Sequence, residues 1–188
     1  MILSRRLGIG ALALGVAAPF AGSPYRPVRG PTDVDAIVKA IEDGSDHVDA
    51  RTLAGWIRDR KPGLRVIDVR DPKAFADYAI PTAENMSIDR LLHTTFDPTA
   101  TIVLCSAEGA HAGQAWVLLR AAGVHNVVFV PGGIADWQDE VISPALPTDM
   151  PEAERAKAVE LSHYFGGTPR VGAAGTTEPA PSVRRRGC

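Results

Sequence analysis

Apolar residues along the chain form short uninterrupted runs, which are separated by segments with helical periodicity. The runs at 64–69 (LRVIDV), 101–105 (TIVLC) and 126–130 (NVVFV) have the length of β-strands. The second run contains no charged residue, which is typical of a strand buried on both faces of a parallel sheet. Because helical patterns lie between the runs, we predict a three-layer α/β fold with a central, mainly parallel sheet.

The helical segments around these strands begin and end at ordinary capping and turn residues. We predict four of them: a helix capped by Asp49 with Leu53, Trp56 and Ile57 on its apolar face, a short turn at 74–78, a helix over 111–122 that ends at Gly123, and a short helix around Trp137 after the turn 131–133. Together with the strands, these segments predict one main domain over residues 47–147.

Two extensions flank this domain. Residues 24–46 are predicted to form a proline-rich linker and a helix, which Thr32 caps and Gly44 ends. One face of that helix carries Val34, Ile37, Val38 and Ile41, so we expect it to pack on the main domain. In residues 148–188, the segment 151–165 is predicted to be helical. The composition from Gly166 onward is mainly Gly, Ala, Thr and Pro, which predicts disorder to the end of the chain.

The first 23 residues have the pattern of a signal peptide. Arg5 and Arg6 precede an uncharged run over 7–20, and the small residues Ala21, Gly22 and Ser23 follow. The run has 14 residues, whereas a membrane-spanning helix needs about 20. We therefore expect export, to the periplasm, and no stable membrane insertion after the signal is cleaved.

Composition and charge limit the classes of function. The net charge of −2 gives no reason to expect a nucleic-acid partner. The only two cysteines, Cys105 and Cys188, exclude a disulfide-rich scaffold and a cysteine-based zinc site. The sequence contains no motif for a metal or an organic cofactor, so we expect neither. Cys188 follows three arginines, whose charge would lower a thiol pKa, so Cys188 is a candidate redox partner of Cys105.

A loop of small residues joins the central strand to the helix that follows it. It consists of Ser106, Ala107, Glu108, Gly109, Ala110, His111 and Ala112. A helix N-terminus has unpaired backbone N–H groups and a partial positive charge, so such a loop can bind a phosphate, a sulfate, a thiolate or a persulfide. The sequence therefore predicts an anion-binding loop at 106–112.

Several stretches of this chain, in their order and spacing, resemble the rhodanese-like (sulfurtransferase) domain. These are VIDVRD at 66–71, Phe75 with the segment 80–85, the strand IVLCS with the helix after it, and PGGIADW at 131–137. The resemblance spans about residues 47–137. It implies a loop that begins with a catalytic cysteine, has a glycine three residues on and usually an arginine two residues after that.

This chain departs from that pattern, and two alignments are open. If Cys105 is the nucleophile, the loop to His111 is one residue longer than usual, as in arsenate-reductase and cell-cycle phosphatase relatives. If Ser106 holds the nucleophile position, Gly109 and His111 lie where the glycine and the arginine belong. We favour the second alignment because it needs no insertion. Side chains alternate along a strand, so Cys105 would then face away from the loop, into helix packing.

Three hypotheses on function follow. The favoured one is an exported sulfurtransferase-like module that has lost the catalytic thiol and binds a small sulfur-containing anion or a protein partner. The second is an active sulfurtransferase or persulfide carrier that uses Cys105. The third is thiol redox chemistry between Cys105 and Cys188. If the protein is an enzyme, the candidate catalytic residues are Cys105, Ser106 and His111. His111 is either a base for Ser106 or a hydrogen-bond donor to an anion.

Overall fold

The computed structural model describes residues 32–171. The predicted signal peptide, most of the predicted linker and Cys188 lie outside this range. Helices and strands alternate along the chain in the following order: α1 (Val34–Glu42), α2 (Ala50–Arg58), β1 (Leu64–Asp68), α3 (Pro72–Asp77), β2 (Glu84–Asn85), α4 (Ile88–His93), β3 (Thr101–Cys105), α5 (Ala110–Ala121), β4 (Val127–Phe129), α6 (Gly133–Asp136), a π-helix (Trp137–Ile142), β5 (Ala145–Leu146), α7 (Glu152–Tyr164) and β6 (Arg170–Val171). No helix within the described residues is long and apolar enough to span a bilayer.

The main sheet has four parallel strands in the order β2-β1-β3-β4, and the predicted α/β class is confirmed. The uncharged strand β3 lies in the interior of the sheet, as its composition predicts. In the β1–β3 pair, Leu64 is opposite Thr101 and Asp68 is opposite Cys105. The two strands therefore end together, and the segments that follow them meet at one edge of the sheet.

Each face of the sheet is covered by its own group of helices. One face packs on α4 and α5 through a core that includes Ile67, Ile102 and Leu104. The opposite face packs on α2 and the π-helix through Val66, Val103 and Cys105. Successive residues of β3 thus belong to different cores, and this alternation decides which way each side chain at the strand end points.

Helix α2 begins as the sequence predicts. The Asp49 carboxylate accepts hydrogen bonds from the backbone N–H and the hydroxyl of Thr52, both at 2.7 Å. Leu53 and Ile57 are buried under the sheet. Partial burial acts to raise the pKa of Asp49, but the hydrogen bonds from Thr52 outweigh it and hold that pKa below its ordinary value.

The prediction for the first helix is correct in position and wrong in two details. Asp33, and not Thr32, caps α1, because its carboxylate accepts from the Ala36 N–H at 2.9 Å. The helix does pack against α5. The buried residue, however, is Ala40, while Val34, Val38 and Ile41 are about half exposed. The small Ala40 side chain allows a close approach of the two helices. Of the predicted apolar face, Ile37 is partly buried and packs against the same core, whereas the other three residues lie beside the contact.

The C-terminal extension packs against the sheet face that contains Cys105. The Ser162 hydroxyl of α7 and the Thr168 N–H both donate to the Ile142 carbonyl, and the Phe165 ring meets the Trp137 ring edge-on at 5.0 Å. Strand β6 pairs with β5 in a second, two-stranded sheet. The prediction of disorder from Gly166 is therefore wrong for residues 166–171, and its remainder lies outside the described residues.

Candidate active site

The Cys105 side chain lies in the core between the sheet and the helices α2 and α6 with the π-helix. It has no exposed surface, and its thiol faces the Ile67 carbonyl at 3.6 Å. Burial raises the pKa of the Cys105 thiol far above its usual range, and the nearby Asp68 carboxylate raises it further, while Arg70 offsets part of the effect. A neutral, buried thiol of this kind is a poor nucleophile.

Ser106 points to the opposite side of the sheet, toward the start of α5. Its hydroxyl oxygen accepts a hydrogen bond from the backbone N–H of Ala112 at 3.3 Å. Its carbonyl accepts from the Ile134 N–H at 2.9 Å, and the Ala107 carbonyl accepts from Ala135 at 3.2 Å. The serine, and not the cysteine, is therefore the side chain that contacts the N-terminal turn of α5.

Two glycines allow the 106–112 loop to lie against the segment that follows β4. Gly109 has φ +80°, and a Cβ there would lie 1.4 Å from the Pro131 carbonyl oxygen. Gly133 has φ +60°, and a Cβ there would lie 2.0 Å from the Ser106 carbonyl oxygen. L-residues with a side chain are disfavoured at both positions on backbone and steric grounds. The sequence PGGIADW thus fixes the loop by close backbone contact.

The backbone N–H groups of the loop are the available donors. Within residues 32–171, the amides of 107–111 donate to no protein acceptor. Four such groups are expected to be unpaired at the first turn of any helix. Here the glycine turn before α5 adds others. An anion at this helix start would receive these hydrogen bonds and the positive end of the helix dipole.

The two ionisable residues of the loop, Glu108 and His111, are exposed. In the described part of the chain no hydrogen bond joins the His111 ring to the Ser106 hydroxyl, whose contact is the Ala112 amide. A serine without a base is a weak nucleophile. The geometry therefore favours binding by the loop over attack by Ser106.

A buried ion pair holds the end of β1 beside the loop. Asp68 has no exposed surface, and both of its carboxylate oxygens accept hydrogen bonds from the Arg70 guanidinium, the shortest at 2.6 Å. The Asn85 amide donates to the carbonyls of Asp68 and Arg70 at 3.1 and 2.8 Å. These polar groups tie the ends of β1 and β2 together, so Asp68 and Arg70 have structural roles.

A pocket of about 550 Å³ opens between these strand ends and the first turn of α5. His111 lines it from the loop, Arg70 from the end of β1 and Arg90 from α4. Sequence reasoning did not find Arg90, because the pocket is built from segments far apart in the chain. No cluster of three or more His, Cys, Asp or Glu side chains that could hold a metal ion occurs in residues 32–171.

Cys105, Ser106 and His111 lie near the same end of β3, but their side chains lie in different layers of the fold. Cys105 faces one core, Ser106 faces the start of α5, and His111 lies at the surface. Cys188, the candidate redox partner, lies outside the described residues. The burial of Cys105 gives no support to a disulfide with a terminal thiol.

Comparison with known proteins identifies the family. The family model "Rhodanese-like domain" matches residues 49–140. The mitochondrial thiosulfate sulfurtransferase RDL2 of Saccharomyces cerevisiae is 31% identical, over a match that covers 38% of this chain and 58% of the yeast protein.

Solved structures with similar folds include a rhodanese-like domain of the Alr3790 protein from Anabaena sp. It is 29% identical, with a TM-score of 0.46, and the match covers 50% of this chain and 73% of that one. Another is a rhodanese-like domain protein from Staphylococcus aureus, which is 24% identical, with a TM-score of 0.45 and coverage of 50% and 93%. The family match covers the sheet, the 106–112 loop and the segment that holds it in place. Residues 49–140 are therefore identified as a rhodanese-like domain, as the sequence motifs predict.

Proposed function

We propose that this protein is a rhodanese-like module that binds a small anion at the 106–112 loop and does not carry sulfur on Cys105. The observation that carries the proposal is the opposite direction of two neighbouring side chains. The Ser106 hydroxyl contacts the amide of Ala112, and the Cys105 thiol is buried in the other core. A hydroxyl cannot hold a persulfide, whereas unpaired amides and a helix dipole suit an anion.

The alternative function is sulfur transfer through Cys105, which the likeness to the yeast sulfurtransferase favours. That chemistry needs an accessible thiolate. Cys105 has no exposed surface, and its pKa is raised by burial. Ser106 is also buried, but its side chain contacts the start of α5, whereas the Cys105 thiol faces the opposite core. To act, the strand end would have to leave the sheet and expose a core side chain, so we place this alternative second.

Turnover of thiosulfate and cyanide to thiocyanate separates the two functions. The test uses the full chain as wild type, Cys105→Ala and Ser106→Cys. We expect no difference between wild type and Cys105→Ala, and new activity in Ser106→Cys. The matched control is Ser45→Cys, which adds an exposed thiol near the opposite end of the strands and should stay inactive. Wild-type turnover that disappears in Cys105→Ala would reverse the assignment.

Anion binding is measured separately, because the proposal requires that a module without sulfur-transfer activity still binds an anion. Titration of the full chain with sodium sulfate, followed by backbone amide NMR, should shift the signals of residues 107–112 in a saturable way. The same titration with sodium chloride at equal ionic strength is the control for charge screening. Equal responses to both salts would contradict a built anion site.

We also propose that the chain is exported and that residues 1–23 are removed. The support is the order of two arginines, an apolar run over 7–20 and three small residues. Expression of the full chain in a bacterium with a periplasm, then fractionation and intact-mass measurement, tests this. A periplasmic product that has lost its first residues is expected, and an intact cytoplasmic product would refute export.

A further inference from the structure

The pocket beside the loop has features that the anion-binding loop does not explain. Its volume of about 550 Å³ far exceeds the space that sulfate needs, and it lies within the range of roughly 300–1,000 Å³ typical of small-molecule sites. Its wall comes from the ends of β1 and β2, from α4 and from His111 of α5.

Most polar groups of the wall are already occupied in holding the wall together. Arg70 is bound to Asp68 and to the Tyr78 carbonyl, and the Asn85 amide donates to two backbone carbonyls. Asp71 caps α3 by accepting from the N–H groups of residues 73 and 74. Ser87 caps α4 by accepting from the Arg90 N–H at 3.3 Å. These bonds use Nε and Nη2 of Arg70, the amide nitrogen of Asn85 and one carboxylate oxygen of Asp71, so these side chains are only partly free to bind a ligand.

Two side chains of the wall, those of Arg90 and His111, are wholly uncommitted in the part of the chain that the structure describes. Within residues 32–171, neither the Arg90 guanidinium nor the His111 ring forms a side-chain hydrogen bond or an ion pair. The nearby Glu84 carboxylate is held by Arg65, at 2.8 and 3.0 Å. A guanidinium offers five donors and a fixed charge, which suit a carboxylate or sulfonate group. The two wholly uncommitted side chains of the pocket are therefore basic ones.

The rest of the wall is apolar. Met86 is buried, Val69 and Ile88 are partly buried, and Pro72 completes this side. Such side chains give no favourable contact to a bare inorganic anion, but they bind a hydrocarbon body. Asp71 also lines the pocket, and its charge disfavours a dianion.

We propose that this pocket binds a small organic monoanion, with its carboxylate or sulfonate group on Arg90 and His111 and its apolar body on Val69, Met86 and Ile88. The site goes beyond the anion-binding loop, since none of these contacts involves the loop amides or Ser106. Because His111 belongs to both the loop and the pocket wall, the organic anion lies next to the loop.

Amide NMR titration of the full chain with 3-phenylpropionate tests the site, and 3-phenylpropanamide serves as the neutral probe of the same shape. We expect saturable shifts at residues 86–88 and 111 with the carboxylate, and binding at least about tenfold weaker with the amide. Arg90→Gln should weaken carboxylate binding by a similar factor. The matched control, Arg51→Gln, removes an exposed arginine on the opposite face of the sheet and should change nothing.

Equal binding of the two probes, equal binding by wild type and Arg90→Gln, or the absence of shifts at 86–88 would each overturn the proposal. Its failure is separable from failure of the loop function. Shifts at 107–112 with sulfate but none at 86–88 with 3-phenylpropionate would reject the pocket alone, whereas Cys105-dependent thiocyanate production would reject the silent loop alone.

Discussion

The burial of Cys105 predicts that its thiol is protected from reagents in the native protein. The perturbation is exposure to a soluble aromatic disulfide such as Ellman's reagent. The variant is Cys188→Ser, so that Cys105 is the one remaining cysteine. Because the thiol has no exposed surface and lies in the interior of a four-stranded sheet, the reagent reaches it only after the structure opens.

The protection can be estimated from the cost of that opening. Domains of this size unfold with a free energy of about 5–15 kcal/mol, and each 1.4 kcal/mol lowers the open population about tenfold. Interior strands open with nearly the global free energy. The reaction should therefore be at least about a thousandfold slower in the native state than in denaturant.

The assay follows absorbance of the released aromatic thiolate in native buffer and in concentrated guanidinium chloride. Ser45→Cys, placed in a chain that carries Cys105→Ala and Cys188→Ser, supplies the control. Ser45 is exposed, so this thiol should react at nearly the same rate in both conditions. A native Cys105 rate within about tenfold of the denatured rate would refute the burial argument, since no opening of the sheet would then be needed.

Three further predictions concern the parts that shape the loop and the domain, each measured by urea or thermal unfolding. Gly133→Ala should destabilise the protein by about 2–4 kcal/mol, because the new Cβ would collide with backbone atoms. Gly55→Ala, where the Cβ meets open space, should be neutral or stabilise by up to about 1 kcal/mol, and equal effects of the two variants would contradict the close-contact argument. Asp49→Ala should lower the free energy of unfolding by about 1 kcal/mol at pH 7, because the helix cap is lost. Since the folded-state pKa of Asp49 is lowered, this difference should vanish as the pH falls from about 5 to 2, and a pH-independent difference would refute the role of the carboxylate as a cap. Phe165→Ala should lower the free energy of unfolding by about 2–3 kcal/mol, because the ring packs on Trp137. The neighbouring Tyr164 is 55% exposed, so Tyr164→Ala should lower it by less than about 1 kcal/mol, and similar losses in the two variants would mean that the extension does not stabilise the domain.

The sequence predicts the sheet well because its strands carry a strong signal. The run at 101–105 has no charge and is found as the interior strand β3. The alternation of side chains along it correctly places Cys105 in one core and turns Ser106 toward α5. Gly123 ends α5 with φ +85°, as the helix pattern predicts.

The same reasoning does not predict very short strands, or sites built from residues that are far apart in the chain. Strands β2, β5 and β6 have two residues each, too few for any periodicity. The face of α1 that contacts the domain carries Ala40 and Ile37, so counting large apolar residues finds Ile37 but misses the buried alanine. The pocket needs Arg90 and His111 from different segments, and only the fold brings them to one wall.

Persulfide mapping tests the central claim most directly. The full-length protein is incubated with thiosulfate under native conditions, alkylated, digested and examined by mass spectrometry for added sulfur. We expect no added sulfur on Cys105 in the wild type, and a persulfide on the new thiol in Ser106→Cys. A persulfide on Cys105 of the folded wild-type protein would contradict the account, because sulfur would then reside on the side chain that the structure buries.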